Sequence, residues 1–419
     1  MKILIKQATI VDPNSPHNGK KQDILIDKGL ISSIRKNIPF KGKTIEGKDL
    51  HISPGWFDMQ VNFKDPGYEH KEDIFSGCEA AAQGGFTGVA CMPGTNPPLH
   101  TKSEIEYVIN KAKGLLVDVY PIGALTTDLA GKDMTEMYDM YHSGAVAFSD
   151  EKNSISNAGV LLRGILYSKG FNSLVICHSN DTDISLDGKM NEGEHSTSLG
   201  LNGLPGVAEE IMIARDIELA NYAQARLHLS SVSTAKSVEL IRNAKKKGLP
   251  ITAHVAAHQL ALDDSVLATY DTNYKLNPPL RTKREIKALV KGLADGTIDA
   301  ICSDHQPEDV EEKVREFDHA AFGAIGLETA FAAANTYSGL PLPQLISKLA
   351  IRPREILGIE VPVIASGKTA NISIFDPKKK WTFSKNEICS KSSNSPFVGA
   401  GFTGKAIAVY NNNSLSICQ

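Results

Sequence analysis

The alternation of apolar and polar residues divides the chain into a long central part and two shorter ends. Between about residues 52 and 362, short β-branched or apolar runs alternate with helix-like stretches. Eight runs are typical of strands: 57–63, 86–92, 117–125, 144–150, 174–180, 226–233, 250–256 and 298–304. Eight strands that alternate with helices favour parallel βαβ units closed into a (β/α)8 TIM-type barrel. The alternative is an open, doubly wound sheet, but no GxGxxG motif follows the first run.

The two ends of the chain have a different pattern. Residues 1–51 and 365–419 alternate like strands, with Asp, Gly, Lys and Asn at the turns and little helical periodicity. We therefore predict an α/β protein with two domains. The barrel spans 52–364, and 1–51 together with 365–419 form a small β-sandwich domain.

The first predicted barrel strand lies in the stretch GWFDMQVNFKDPG, residues 55–67. Apolar side chains at 59, 61 and 63 share one face, and polar side chains at 58, 60 and 62 share the other, which is the period of a strand. We expect the apolar face to pack against helices. The amides of Gln60 and Asn62 then face the mouth of the barrel.

Composition narrows the class of protein. The chain has 419 residues, of which 42% are hydrophobic and 22% charged, and its formal net charge is -3. This balance gives no electrostatic reason to expect nucleic acid or an anionic membrane as a partner. No apolar run approaches the roughly 20 residues that span a bilayer, and the six cysteines form no CxxC pair. These features predict a cytoplasmic globular protein with reduced thiols.

Candidate chemistry lies at the carboxyl ends of the predicted strands, where barrels of this kind build their active sites. Asp150, His178 and Asp304 would form a metal site if enough ligands met there, or a hydrogen-bonded polar pocket if they did not. The i,i+4 pair His254 and His258 lies at a strand end, so a role as metal ligands is disfavoured.

Several motifs together resemble the dihydroorotases of the amidohydrolase superfamily, of the long bacterial type. SPGWFDMQVNFKDPG resembles the family pattern PGxxDxHxHxREPG, and KEDIFSGCEAAAQGGFTGVACMPGTNPP resembles KEDxxTGxxAAAxGGFTxVxxMPNTxPP. FSDE, ICHSND, VSTAKSVELI, KLNPPLR, CSDHQPED and FGAIGLETA follow in family order. The resemblance implies the barrel with its β domain, the reversible cyclisation of carbamoyl aspartate to dihydroorotate, and Zn²⁺ that activates water. Asp304 would be the general acid/base.

The departures from the family pattern fall on the metal and the substrate positions. The family's His-x-His is Gln60-x-Asn62, and Ser231 stands where HxxHVST has its second His. Asp150, His178 and Asp304 are retained. On the substrate side Lys64 replaces an Arg, Gly94 an Asn and Glu308 a His. Asn277 and Arg281 are retained, and together with Lys64 they are the expected substrate-binding residues.

Two main hypotheses follow from these departures. The first is a pseudoenzyme that has lost zinc-dependent hydrolysis, holds no cofactor and acts as a structural or regulatory partner of aspartate transcarbamoylase. The alternative is an active dihydroorotase, or a related cyclic amidohydrolase, with one Zn²⁺ held by His178 and Asp304, with or without Asp150. A sensor that binds carbamoyl aspartate or dihydroorotate is a third hypothesis. We also expect a homo-oligomer.

Overall fold

The computed structural model describes residues 1–418, which contain seventeen strands and thirteen α-helices. The strands are β1 (Lys2–Ile10), β2 (Lys21–Asp27), β3 (Leu30–Arg35), β4 (Lys43–Ile45), β5 (His51–Pro54), β6 (Trp56–Val61), β7 (Phe86–Cys91), β8 (Asp118–Pro121), β9 (Val175–His178), β10 (Met190–Asn191), β11 (Gly203–Leu204), β12 (Leu227–Ser230), β13 (Ile251–Ala256), β14 (Ala300–Cys302), β15 (Ile372–Thr382), β16 (Gly401–Asn411) and β17 (Ser414–Ile417). The helices are α1 (Ile74–Gln83), α2 (Lys102–Ala112), α3 (Met137–His142), α4 (Ala158–Lys169), α5 (Thr182–Ser185), α6 (Glu194–Leu199), α7 (Gly206–Ala223), α8 (Ala235–Lys246), α9 (Lys283–Ala294), α10 (Val310–Lys313), α11 (Ala330–Tyr337), α12 (Leu342–Ile346) and α13 (Arg352–Leu357).

The central strands close into a barrel. β6, β7 and β8 pair in parallel, as do β9, β12, β13 and β14. Phe148 bridges Gly123 and Val175 on one side, and His305 bridges Val61 on the other, so the two groups join in a ring. The fourth predicted strand, 144–150, is reduced to this bridge at Phe148. The predicted fold class is confirmed.

The helices that follow the strands begin and end where the sequence provides caps. The side chain of Thr234 accepts a hydrogen bond from the Ser237 amide at the start of α8. Gly248 and Gly296, which lie shortly after α8 and α9, have φ angles of 79° and 81°. These left-handed residues turn the chain back toward the next strand.

The two ends of the chain build one eight-stranded sheet, in the order β17-β16-β15-β5-β1-β2-β3 with β4 paired to β1. β5 lies between a parallel neighbour, β1, and an antiparallel one, β15. Ile3, Ile24, Ile52 and Ile372 belong to its buried apolar cluster. The sheet continues to Pro54, slightly beyond the boundary at 51/52, and the division into 1–51 plus 365–419 and 52–364 stays a prediction.

The junction of sheet and barrel fixes the start of β6. The amide of Trp56 donates to Ser373 Oγ at 2.9 Å, and its indole Nε1 donates to Ser53 Oγ at 3.0 Å. Gly85 lies directly under the indole ring with a φ of 94°, and a Cβ there would meet Trp56 Cζ3 at 2.4 Å. The strand that carries Gln60 and Asn62 is therefore anchored at its first residue.

Within residues 1–418, none of the helices combines the length and apolar character that crossing a membrane requires.

Candidate functional site at the barrel mouth

Four non-glycine residues with left-handed backbones follow barrel strands at the mouth. Their φ angles are 60° at Lys64, 56° at Glu151, 48° at Ser231 and 53° at Asp304. Such conformations cost about 1–3 kcal/mol each and are concentrated at functional sites, where the surrounding structure holds them. The strained backbone at these four positions is therefore typical of a functional site.

Gln60 lies at the centre of the polar network and is 4% exposed. Its amide nitrogen Nε2 donates to Ser231 Oγ at 2.8 Å and to Asp304 Oδ1. Its carbonyl oxygen Oε1 accepts from His254 Nε2 at 2.8 Å. Because a carboxylate can only accept, Asp304 fixes the orientation of the amide, and His254 must carry its proton on Nε2.

A chain of two neutral histidines supports this orientation from below. His228 Nε2 lies 2.7 Å from His254 Nδ1, and His228 Nδ1 lies 2.7 Å from Thr252 Oγ1. Since His254 carries its proton on Nε2, its Nδ1 accepts from His228, whose Nδ1 then accepts from the Thr252 hydroxyl. Burial lowers the pKa of His228 to about 3 and holds the pKa of His254 well below its usual value. Each hydrogen bond in this series of side chains is therefore donated in the direction of Asp304.

Lys152 brings a positive charge to the same carboxylate. Its Nζ lies 2.8 Å from Asp304 Oδ1 and 2.9 Å from Oδ2, and it donates to the Asn277 carbonyl oxygen at 2.7 Å. Ser231 Oγ is a longer contact at 3.5 Å. Asp304 is thus bound by an ammonium and by an amide donor at once.

Asn62 pairs with a second carboxylate. Its Nδ2 donates to Glu151 Oε1 at 2.7 Å, and its Oδ1 accepts from the Lys64 amide at 3.0 Å. The Glu151 carboxylate lies across Gly94, where an added Cβ would meet Glu151 Oε2 at 1.6 Å. Gly94, which replaces the family's Asn, leaves the space that Glu151 fills.

Lys64 does not offer a free charge to a substrate. Its Nζ lies 3.2 Å from Glu308 Oε1, and the other oxygen of Glu308 lies 2.5 Å from Lys71 Nζ. Both side chains of the Lys64–Glu308 pair are less than a tenth exposed. The expected clamp for a substrate carboxylate is therefore occupied by a carboxylate of the chain itself.

Asp150 and His178 do not meet Asp304 in one ligand set. The Asp150 carboxylate accepts hydrogen bonds from the amides of Leu125 and Thr126 and from the Thr126 hydroxyl, and burial raises its pKa to about 6. It caps a loop, whereas its neighbour Glu151 bonds to Asn62 within the mouth.

His178 is buried with both ring nitrogens lacking a geometrically sound hydrogen bond within 1–418. Burial, with a smaller contribution from the Lys152 ammonium, lowers its pKa to about 3, while the Asn277 side chain acts in the opposite direction. His178 is therefore a buried, neutral imidazole beside the Asn277 side chain.

Of the other two expected substrate-binding residues, only Asn277 lines an open space. The Arg281 guanidinium is 2% exposed and donates to Ser233 Oγ, Asn191 Oδ1 and the Leu204 carbonyl oxygen. It therefore ties internal elements together. A pocket of about 260 Å³ opens beside Lys152, and its lining residues are Lys152, Asn153, Leu276, Asn277, Asp304, Gln306, Phe322, Gly323 and Ala324.

The structure thus brings Gln60, Ser231 and Asp304 together, and leaves Asp150 and Arg281 in structural contacts. Sequence reasoning missed the roles of Glu151 and Lys152. The charged run SDEK after the fourth predicted strand was the available signal, because charges directly after a barrel strand face the mouth.

Comparison with solved structures shows the same fold. L-hydantoinase (dihydropyrimidinase) from Arthrobacter aurescens is 23% identical, with a TM-score of 0.86 over 99% of this chain and 96% of that chain. Dihydropyrimidinase from Brevibacillus agri is 22% identical, with a TM-score of 0.83 over 100% and 95%.

Curated relatives are more similar in sequence. The dihydroorotase of Acetivibrio thermocellus is 42% identical over 96% of this chain and 96% of its own length. The dihydroorotase of a Thermoanaerobacter species is 44% identical over 96% and 94%. These relatives match over almost the whole length of both chains.

The prediction that the chain holds no cofactor is wrong in the light of these relatives. They are dihydroorotases, for which the resemblance implies Zn²⁺, and the structural neighbours are hydantoinases. The side chains at the barrel mouth, as they are arranged, nevertheless do not form a ligand set for Zn²⁺. Asp304 is occupied by Lys152 and Gln60, and among residues 1–418 no group of three or more His, Cys, Asp or Glu side chains could hold a metal ion.

The family model described as Dihydro-orotase-like matches residues 50–237, which run from the end of the terminal sheet through the first six barrel strands. The relatives extend the match over almost the whole chain at 40–44% identity. The barrel, its β domain and the motifs at the strand ends agree with this match. The chain belongs to the dihydroorotase family.

Proposed function

We propose that the chain is a dihydroorotase, or a closely related cyclic amidohydrolase, that interconverts carbamoyl aspartate and dihydroorotate in pyrimidine biosynthesis with a reduced metal site. The observation that carries the proposal is Asp304, retained at the end of β14 with a left-handed backbone and facing the 260 Å³ pocket. Relatives named dihydroorotase over nearly the whole length support the same substrate class.

The interconversion of carbamoyl aspartate and dihydroorotate requires a proton acceptor beside a polar pocket. In ring closure the carbamoyl nitrogen attacks the side-chain carboxyl carbon, the nitrogen loses a proton and water leaves; ring opening reverses these changes. Asp304 holds the proton that is exchanged. Lys152, which pairs with Asp304, and Asn277 line the same pocket beside it.

Turnover of dihydroorotate by the full chain supplied with zinc tests this proposal. Asp304→Asn should lower the rate by at least about 100-fold, because it removes the proton acceptor. Asp295→Asn is the matched control, since Asp295 pairs with Arg242 at the C-terminal end of α9 and should leave the rate unchanged. A wild-type chain without turnover, or an Asp304→Asn variant with full turnover, contradicts the proposal.

A second candidate function is that of a structural or regulatory partner of aspartate transcarbamoylase that has lost hydrolysis. The specific observation in its favour is that Asp304 and Lys64 already have charged partners within the chain. Sedimentation of the purified chain with the aspartate transcarbamoylase of the same organism tests it. A complex that survives Asp304→Asn, together with absent turnover, supports this candidate, whereas separate sedimentation refutes it.

A further inference from the structure

Asn394 lies in the loop between β15 and β16 of the terminal sheet, yet its hydrogen bonds go to the barrel mouth. It is 3% exposed. Its Nδ2 donates to the carbonyl oxygens of Gln306 and Gly323, both at 3.1 Å. Its Oδ1 accepts from the Glu308 amide at 3.2 Å, and its backbone oxygen accepts from the Ile325 amide at 3.1 Å. A loop of the terminal sheet is thus bonded into the barrel.

These partners belong to two segments that form one wall of the pocket beside Asp304. Gln306 lies in the segment after β14, Gly323 lies in the segment that leads to α11, and both line the pocket. The Gln306 amide donates to the Ala324 carbonyl oxygen at 2.8 Å, and a Cβ at Gly323 would meet Gln306 Cγ at 2.6 Å. The separation of these closely packed segments therefore determines the shape of the wall.

A side-chain amide suits this place because it carries two donors and an acceptor in one plane. Two carbonyl oxygens face Nδ2 and one N–H faces Oδ1, so the partners fix the orientation of the Asn394 amide. Lys313 Nζ donates to the same Gly323 oxygen at 3.1 Å and to the Ala321 oxygen at 2.9 Å. Both acceptors of Lys313 lie in one segment, whereas those of Asn394 lie in two.

We infer that Asn394 is a positioning residue of the pocket, which sets the separation of the two wall segments beside Asp304 and thereby the fit of the substrate. The loop between β15 and β16 thus completes the wall of a pocket that the barrel alone leaves unfinished. The effect on substrate rests on the proposed function, whereas the hold on the wall is measured without turnover.

Hydrogen exchange of the full chain, read by mass spectrometry, tests the hold on the wall. Asn394→Ala should make the peptides over 305–308 and 322–326 exchange at least about tenfold faster, since one buried hydrogen bond is worth about that factor. Asn411→Ala is the matched control. Asn411 is also 3% exposed, and its Nδ2 donates to the Leu116 oxygen at 2.9 Å, before β8 and away from the mouth. It should leave these peptides unchanged.

Asn394→Asp should act like Asn394→Ala, because it keeps the size of the side chain and loses both donors. Unchanged exchange of the wall peptides in both variants overturns the inference. Faster exchange spread evenly over the whole chain, or an equal change in Asn411→Ala, also overturns it. Circular dichroism establishes that each variant is folded.

Turnover of dihydroorotate by the same variants tests the effect on substrate. The KM of Asn394→Ala should rise at least about tenfold and kcat should fall by less, because the hydrogen bonds of Asn394 go to the wall and not to the proton acceptor Asp304. A fall in kcat at constant KM overturns the positioning role. A wild-type chain without turnover refutes the proposed function alone, and the exchange measurement then decides the inference.

The wild-type chain provides a measurement that needs no variant. The amides of Glu308 and Ile325 donate to two different oxygens of Asn394, so withdrawal of this residue frees both. Their protection factors, resolved residue by residue, should agree within about tenfold. A larger difference between the two amides overturns the inference.

Discussion

Replacing Gly94 by Ala tests the packing of Glu151 against the strand that carries Asn62. A methyl group at position 94 would lie 1.6 Å from Glu151 Oε2 and 2.7 Å from its Cδ, so the carboxylate must move. The movement breaks the 2.7 Å hydrogen bond from Asn62, whose 2% exposure leaves solvent little access to the freed amide. Gly94 has no left-handed φ, so Ala itself causes no backbone strain.

The expected magnitude follows from these contacts. Loss of a buried hydrogen bond to a charged group costs about 1.5–3 kcal/mol. Ala in place of Gly returns about 0.4–1 kcal/mol by restricting the unfolded chain. The net loss of unfolding free energy is therefore about 1–2 kcal/mol. With an unfolding entropy of about 2 cal/mol/K per residue, the melting temperature should fall by only about 1–2 °C.

Calorimetry of a double-mutant cycle resolves a change of this size. In a Glu151→Ala background the new methyl group has room, so Gly94→Ala should be neutral or slightly stabilising there. Gly401→Ala is the control, because a Cβ at Gly401 meets nothing within 4 Å. An equal loss from Gly94→Ala in both backgrounds, or no loss in the wild type, would refute the assignment of the space at Gly94 to Glu151.

Three further predictions concern stability. Burial lowers the pKa of His258 to about 4, so the stability linked to this group is full above pH 6.5 and falls as the pH drops toward 4. In this pH window, His258→Phe should reduce the slope of unfolding free energy against pH by about 1.4 kcal/mol per pH unit, as measured by urea titration. Gly85→Ala should cost about 2–4 kcal/mol from overpacking and left-handed strain, whereas Gly114→Ala, with a φ of 85° and open space, should cost only about 1 kcal/mol in the same assay. Glu308→Ala should cost about 3–5 kcal/mol because it leaves the buried Lys64 ammonium unpaired, and a loss below about 1 kcal/mol in chemical denaturation would contradict the pair.

The barrel was predictable because its strands are local patterns. Period-2 runs such as 57–63 and 250–256 lie over β6 and β13. The fourth strand was harder, since its pairing is reduced to the bridge at Phe148. Asp150 was the expected residue at the mouth because it closes that run. The backbone of Glu151 is left-handed, and Glu151 makes the contact to Asn62 instead.

The site chemistry depended on contacts that no local pattern contains. Gln60 finds His254 and Asp304 far along the sequence, and only the closed barrel brings their strand ends together. The replacement of a ligand by an amide is visible in the sequence, but the direction of that amide is set by the histidine chain beneath it. The contacts of the Lys152 ammonium likewise depend on oxygen atoms of Asn277 and Asp304, which are distant in the sequence.

The place of β5 between β1 and β15 has a consequence for the order in which the protein is made. The ribosome releases β5 before any residue of the barrel, and β15 only after the whole barrel has been synthesised. Throughout that interval one edge of β5 and the apolar side chain of Ile52 lack their final partners. Unpaired strand edges of this kind invite association with other chains. Nascent chains stalled within the barrel therefore expose this unpaired edge, and only synthesis of β15 covers it.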